Sequence, residues 1–478
     1  MPARRFPREF VLGVATSSYQ IEGAHDEDGR LPSIWDTFCR TPGKVVRQEN
    51  GDVACDHYHR YREDVALMKS LGMHAYRFSV AWPRVLPTGF ETAPNEAGLD
   101  FYDRLVDELL AAGITPWVTL YHWDLPQPLE DMGGWPDRRI VDHFVRYADI
   151  VSRRLGDRVG HWITHNEPWC AAMLGYMTGE HAPGHKDWPA ALAAAHHILL
   201  SHGRAVPVIR ENVGSHAKVG ITLNLTPGVP ASPSAADAEA TRHFDGFFNR
   251  WFLDPCYGRP YPADMVADYR RMGRLPEGPI PFLREGDIAE MGAKTDFLGI
   301  NFYSRAILRS EEVAEEDNAP RTIPVPGPDQ TTDMGWEVVP DALRGLLVRV
   351  GEEYPVGELI ITENGAAWPE GPDADGRVRD ERRRQYLHDH LAACLDAIDE
   401  GSPLTGYFAW SFMDNFEWAF GYEKRFGIVH VDYDTLVRTP KDSALWYRTV
   451  AESGALQPVD AAESAAAVAA AAEESGAE

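Results

Sequence analysis

The chain has 478 residues, 44% of them hydrophobic and 25% charged, a balance that excludes a disordered, collagen-like or fibrous protein and supplies a large core. Length alone allows about three domains of roughly 150 residues or one large α/β barrel. Seventy-three acidic against forty-six basic residues leave a net charge of −27; that field repels phosphate backbones and anionic lipid heads, so neither nucleic acid nor a membrane is expected as partner.

Residues 1–10 carry basic side chains but no apolar run of about seven or more, so no secretory signal is expected. No stretch of about eighteen apolar residues predicts a spanning helix. Cys39, Cys55, Cys170, Cys256 and Cys394 are odd in number and lack CxxC spacing. Neither a disulfide framework nor a zinc cage is expected, and a cytoplasmic location fits that usage.

Short apolar segments at 10–15, 75–80, 115–121, 161–165, 218–223, 296–302, 358–362 and 404–410 read as eight strands, each with room for a helix before the next. Alternating strands and helices predict parallel βαβ units, and eight units predict a closed (β/α)8 TIM barrel; an open doubly wound sheet is the alternative. Phe101, Leu105, Leu109 and Leu110 follow helical spacing up to Gly113, and a long helix is expected over 189–211. Three excursions, 30–52, 227–233 and 309–334, read as long loops of the kind that build barrel sites. Residues 1–455 are expected to form one catalytic domain. Residues 456–478, with ten alanines after position 460, read as a disordered tail.

Barrel chemistry sits at the C-terminal ends of the strands. Trp162-Ile-Thr-His-Asn166-Glu167-Pro168 places an Asn-Glu pair after the fourth strand, and Leu359-Ile-Ile-Thr-Glu363-Asn364-Gly365 places a Glu-Asn pair after the seventh. A carboxylate buried there is costly without a partner. Strands four and seven lie across the mouth from each other, so the two carboxylates can meet over a central cavity. At a separation of roughly 5–5.5 Å one attacks an anomeric carbon while the other protonates the leaving oxygen, and configuration is retained. The plainer alternative makes each Glu a cap or ion-pair member, and Glu363-Asn364-Gly365 an Asn-Gly turn. His57-Tyr-His59 invites a metal reading, but it falls at a helix start where side chains at i and i+2 diverge, so no metal is expected.

Longer signatures surround these glutamates. They are Phe10-Val-Leu-Gly13-Val-Ala-Thr-Ser-Ser-Tyr-Gln20-Ile-Glu22-Gly23, Tyr76-Arg77-Phe78-Ser79, Tyr121-His122-Trp123-Asp124, Thr164-His-Asn166-Glu167-Pro168, Asn301-Phe-Tyr303, Ile361-Thr362-Glu363-Asn364-Gly365 and Trp410-Ser-Phe-Met-Asp414-Asn415-Phe416-Glu417-Trp418. In that order, over about residues 6–450, the chain resembles glycoside hydrolase family 1, the β-glucosidase family.

The resemblance implies that Glu167 is the acid/base and Glu363 the nucleophile, with Arg77 and Tyr303 contacting Glu363 and favouring its ionised form. It implies a sugar-binding set of Gln20, His122, Trp123, Asn166, Asn301, Glu417 and Trp418, with Asn166 toward the 2-hydroxyl and Trp410 as an apolar floor. Asn301 and Tyr303, two apart, share a strand face. Trp336 resembles a platform for the leaving group, and Trp169 and Phe426 an entrance. Glu417 would repel a 6-phosphate, so unphosphorylated sugars are implied; the presence of Glu167 argues against a myrosinase. The implied function is a retaining exo-β-glycosidase, foremost a β-glucosidase with some action on β-galactosides and β-fucosides, needing a small glycoside and no cofactor. The competing class is a noncatalytic sugar-binding barrel, which could discard either carboxylate. Oligomeric state is not encoded legibly.

Overall fold

The computed structural model describes residues 4–310 and 330–460. Eight strands, β1 (Val11–Ala15), β2 (Ala75–Ser79), β3 (Thr115–Tyr121), β4 (His161–Asn166), β5 (Lys218–Asn224), β6 (Phe297–Asn301), β7 (Glu358–Asn364) and β8 (Leu404–Trp410), form a closed barrel. All neighbouring pairs are parallel, and β8 returns to β1. Each expected strand is a barrel strand, and the (β/α)8 architecture excludes the open sheet. The strands read as apolar runs because helices cover one face and the barrel interior fills the other.

The floor of the barrel is apolar. Ala15, Ala75, Ile163 and Ile360 surround Trp117, Phe297 and Phe408, with the Trp117 ring 5.3 Å from Phe297 and 5.1 Å from Phe408. Two inward glycines make room for these rings. A Cβ on Gly13 would lie 2.6 Å from Phe408, and one on Gly220 equally close to Phe297.

Local breaks in register aim the upper residues. Pairing of β4 with β5 shifts between Ile163 and Asn166, so two successive side chains point outward: Thr164 bonds His202, and His165 bonds Ser201. Asn166 is thereby turned inward, where strict alternation from Ile163 would have placed His165. A second irregularity in β7, against β6 and β8, brings Thr362 and Glu363 both inward and turns Asn364 toward Tyr386 and Tyr407.

The helix Glu96–Ala112 ends as its sequence predicts, at Gly113 with φ 80°. The long helix runs Trp188–Val213, slightly beyond expectation. Excursion 30–52 contains the helix Ile34–Arg40, started by a reciprocal Ser33–Asp36 capping box. Excursion 227–233 holds Gly228–Pro230, paired with Ala306–Leu308. Most of the third excursion, 311–329, lies outside the described residues. So do residues 461–478 of the expected tail, whose opening still touches the barrel: Leu456 N–H donates to Arg4 O and Trp446 Nε1 to Pro458 O. His57 does begin a helix and bonds Asp64, while His59 bonds Asp56. The five cysteines are buried and free, and among the described residues no helix is long and apolar enough to cross a membrane.

Candidate active site

Arg77 organises the upper layer. Its side chain is fully buried, and each nitrogen is engaged: Nη1 with Glu363 Oε1 at 2.5 Å, Nη2 with Asn166 Oδ1 at 2.6 Å, and Nε with Thr119 Oγ1 at 3.1 Å. Tyr303 OH donates to the other Glu363 oxygen at 2.7 Å. Both oxygens of Glu363 are therefore held, one by a cation.

Glu167 has a different setting. Its backbone is left-handed, φ 48°, a conformation costly for a residue with a Cβ, and its N–H is anchored on Thr222 O. One carboxyl oxygen accepts from Asn301 Nδ2 at 2.7 Å, and among the described residues no cation touches it. Asn301 is itself oriented, since its Oδ1 accepts from Thr362 Oγ1, which in turn accepts from Thr222 Oγ1. The same Asn301 amide also bonds Asn166 Oδ1 and favours the ionised form of both carboxyl groups.

Burial raises both carboxyl groups above the ordinary range. For Glu167 burial and then the charge of Glu363 push the value to about 7. For Glu363 burial outweighs Arg77 and Tyr303, so the net direction is upward although both neighbours favour the ionised form, as expected. With a guanidinium in contact, Glu363 is the first of the pair to ionise.

The inner end of the cavity is aromatic and polar. His122 lies between the rings of Trp410 and Trp418, near-parallel to each at 5.9 Å. Asn166 Nδ2 is 3.1 Å from His122 Nε2; an amide nitrogen donates, so that ring nitrogen accepts and Nδ1 carries the proton. Burial and Arg77 hold His122 well below the usual histidine range. It stays neutral, and its buried Nδ1–H has no hydrogen-bond partner among the described residues. Glu417 is pushed up to about 8 by burial and then by the other two glutamates.

Three implied site residues stand behind the wall instead of in it. Gln20 is wholly buried, donating to Asn415, Phe416 O and Glu417 and accepting from Ser17; it orients Glu417. Asn166 and Arg77 likewise act on groups that line the cavity. Trp123 lines it with its ring, its Nε1–H being engaged by Asn166 O.

The Asn-Gly turn alternative fails. Asn364 is buried, bonding Phe302 O, Tyr386 and Tyr407. Gly365 is needed because Trp410 O occupies the place of a Cβ, 1.7 Å away.

Trp336 and Trp169 both line the cavity, whose volume is about 470 Å³. Trp336 packs on Tyr303 and Phe426 at 5.2 and 6.1 Å. Phe426 lines the cavity but is only 2% exposed, a backing for Trp336 more than a door. Sequence reasoning missed Cys170, His181, Asn224 and Arg305, all of which line the cavity. Cys170 had a signal: three residues beyond Glu167, it returns on the next turn to hydrogen-bond that carboxyl. His181 had none, because it packs on Trp35 and Trp123 through tertiary contacts.

Two carboxylates held in unlike states beside an aromatic sugar-sized cavity are the equipment for cleaving a glycosidic bond, which sets the class as a barrel glycosidase. The chain belongs to glycosyl hydrolase family 1, whose model matches residues 3–455. It is 47% identical over 450 residues to a beta-glucosidase of Agrobacterium sp., covering 94% of this chain and 96% of that one. It is 45% identical over 462 residues to a bifunctional beta-D-glucosidase/beta-D-fucosidase of Bifidobacterium breve, covering 93% and 97%. Among solved structures, the family 1 β-glucosidase of Thermotoga maritima superposes with a TM-score of 0.88 at 46% identity, covering 96% of this chain and 100% of that one.

Proposed function

We propose that the chain is a retaining, exo-acting β-glucosidase in which Glu363 is the nucleophile and Glu167 the acid/base. The observation that carries this reading is the asymmetry of the pair: Glu363 is gripped at both oxygens by Arg77 and Tyr303, while Glu167 has no cation in contact and is raised to about 7. The ionised Glu363 attacks the anomeric carbon as Glu167 transfers its proton to the departing oxygen, leaving a glycosyl ester on Glu363. Glu167, now ionised, takes a proton from water; the water oxygen bonds the anomeric carbon and Glu363 leaves.

Glu417, Trp418 and Trp123 line the cavity beside the two glutamates, and its volume of about 470 Å³ suits a small glycoside. The neutral His122 ring and the Glu417 carboxyl, both lining the cavity, suit sugar hydroxyls, which donate and accept at once. The relatives' names support glucosides first and fucosides second. Five free cysteines support a cytoplasmic setting. A noncatalytic sugar-binding barrel is disfavoured, since it has no use for a cation and a tyrosine that orient one carboxylate for attack.

Labelling with a 2-deoxy-2-fluoro-β-glucoside followed by peptide mapping tests the assignment. The expected ester is on Glu363; a label on any other residue overturns it.

A further inference from the structure

Away from the catalytic cavity, the outer rim of the barrel has a groove of about 810 Å³ between the starts of two helices, Ile140–Leu155 and Trp188–Val213, and the loop that follows Ala263–Arg271. Its lining includes Arg138, Arg274, Arg284 and His197, a cationic concentration unexpected on a chain of net charge −27.

The charges are not equally free. Arg138 is neutralised by a two-pronged pair with Asp287, and the groove's own acid, Asp137, is held by Arg139. Arg274 and Arg284 have no carboxylate partner among the described residues. Arg274 lies flat over the Trp188 ring, 4.6 Å from its centroid, and its Nε is buried without a hydrogen bond. A guanidinium so poorly satisfied is costly, and an anion in the groove would engage its remaining N–H groups.

His197 supplies a second, independent indication. It is 3% exposed, and its Nδ1 lies 2.9 Å from Trp135 O. A carbonyl only accepts, so Nδ1 carries the proton and Nε2 presents a lone pair. Nε2 has no partner among the described residues, and the ring lines the groove. Burial lowers the pKa of His197 further. Two guanidinium groups thus ask for an oxyanion, and a buried imidazole lone pair asks for a hydroxyl donor. Both helix starts add positive potential.

We propose that this groove is a second binding site, for a small hydroxylated oxyanion of monosaccharide size, the class that includes sugar phosphates and sugar acids. The anionic head sits on Arg274 and Arg284, and a hydroxyl donates to His197 Nε2.

Isothermal titration of the full chain separates the possibilities. Glucose 6-phosphate and gluconate serve as hydroxylated anions, inorganic phosphate as an anion lacking the carbon-borne hydroxyls, and glucose as the neutral polyol. The expected result is one-to-one binding of at least one hydroxylated anion, tighter than inorganic phosphate; the phosphate and carboxylate arms reveal which head is preferred. Arg284→Gln, at an exposed position, and Arg274→Met, which keeps the packing on Trp188, should each weaken that binding about tenfold or more, with hydrolysis of an aryl glucoside unchanged. Binding unaltered by either variant, equal binding of inorganic phosphate, or no binding of either hydroxylated anion overturns the proposal.

Discussion

The floor and the rim of the barrel are built on the same strands, two to four residues apart, yet they obey opposite rules. Below, Trp117, Phe297 and Phe408 fill the interior with rings and the glycines opposite them vanish to make space. Above, Arg77, Asn166, Asn301 and Glu363 fill it with polar groups that satisfy one another. The floor is held by packing, so its residues could be exchanged for others of similar volume at modest cost. The rim is held by a directional network, in which losing one member strands its neighbours in a medium that cannot solvate them. Stability resides below and reactivity above.

The sharpest break in that division is Glu363→Gln, which keeps shape and removes the attacking charge. Its kcat/KM on aryl glucosides should fall by roughly 10⁵-fold or more; a loss of less than a hundredfold in steady-state assays would remove Glu363 from the reaction centre. Glu167→Ala should slow substrates with poor leaving groups by about 10²–10⁴-fold and activated aryl glycosides far less. The same variant sharpens the comparison through pH. In the parent enzyme kcat/KM should decline as pH rises through about 7, because Glu167 must be protonated to act. In the variant that decline should disappear while the acid limb, set by Glu363, persists.

Phe408→Ala probes the floor. It should cost about 3–5 kcal/mol in chemical denaturation and leave the kcat of the folded enzyme nearly intact; a large loss of kcat would mean that the floor also positions the glutamates.

The smallest effect expected is on stability at the rim. Glu417 is raised to about 8 in the folded chain from an ordinary 4.5, so its contribution is complete below pH 4.5 and lost as pH climbs through about 8. Glu417→Gln should therefore be more stable than the parent at pH 8.5 by about 1–3 kcal/mol, with the advantage shrinking toward pH 5. Equal differences at both pH values would show that burial of this carboxyl carries no protonation cost.

Much of the fold was legible because barrel strands are buried on both faces and therefore appear as uninterrupted apolar runs. The helix ending at Gly113 was legible for a local reason, a glycine that takes a left-handed φ. The site was legible as motifs, with Glu167 and Glu363 marked by their strand-end positions. Less legible was the division of labour within the motifs: Gln20 and Asn166 looked equivalent to His122, yet they brace lining groups instead of forming the wall. Cys170 was legible only through its spacing from Glu167; His181, Asn224 and Arg305 escaped because no period or spacing connects them to the glutamates, and only the folded chain brings them to the cavity.

Composition and order of residues alone determined that there would be eight parallel strands, that two glutamates would end the fourth and seventh, and that a helix would stop at Gly113. Those are consequences of local conformational preference and of the need to bury apolar side chains. Tertiary structure decided the direction in which the glutamates point. Register breaks in β4 and β7 turn Asn166 and Glu363 inward, and only closure of the barrel brings Arg77 from the second strand against Glu363 and away from Glu167. A protonation difference between two identical side chains depends on distances to charges remote in sequence, and those distances exist only once the chain has closed on itself.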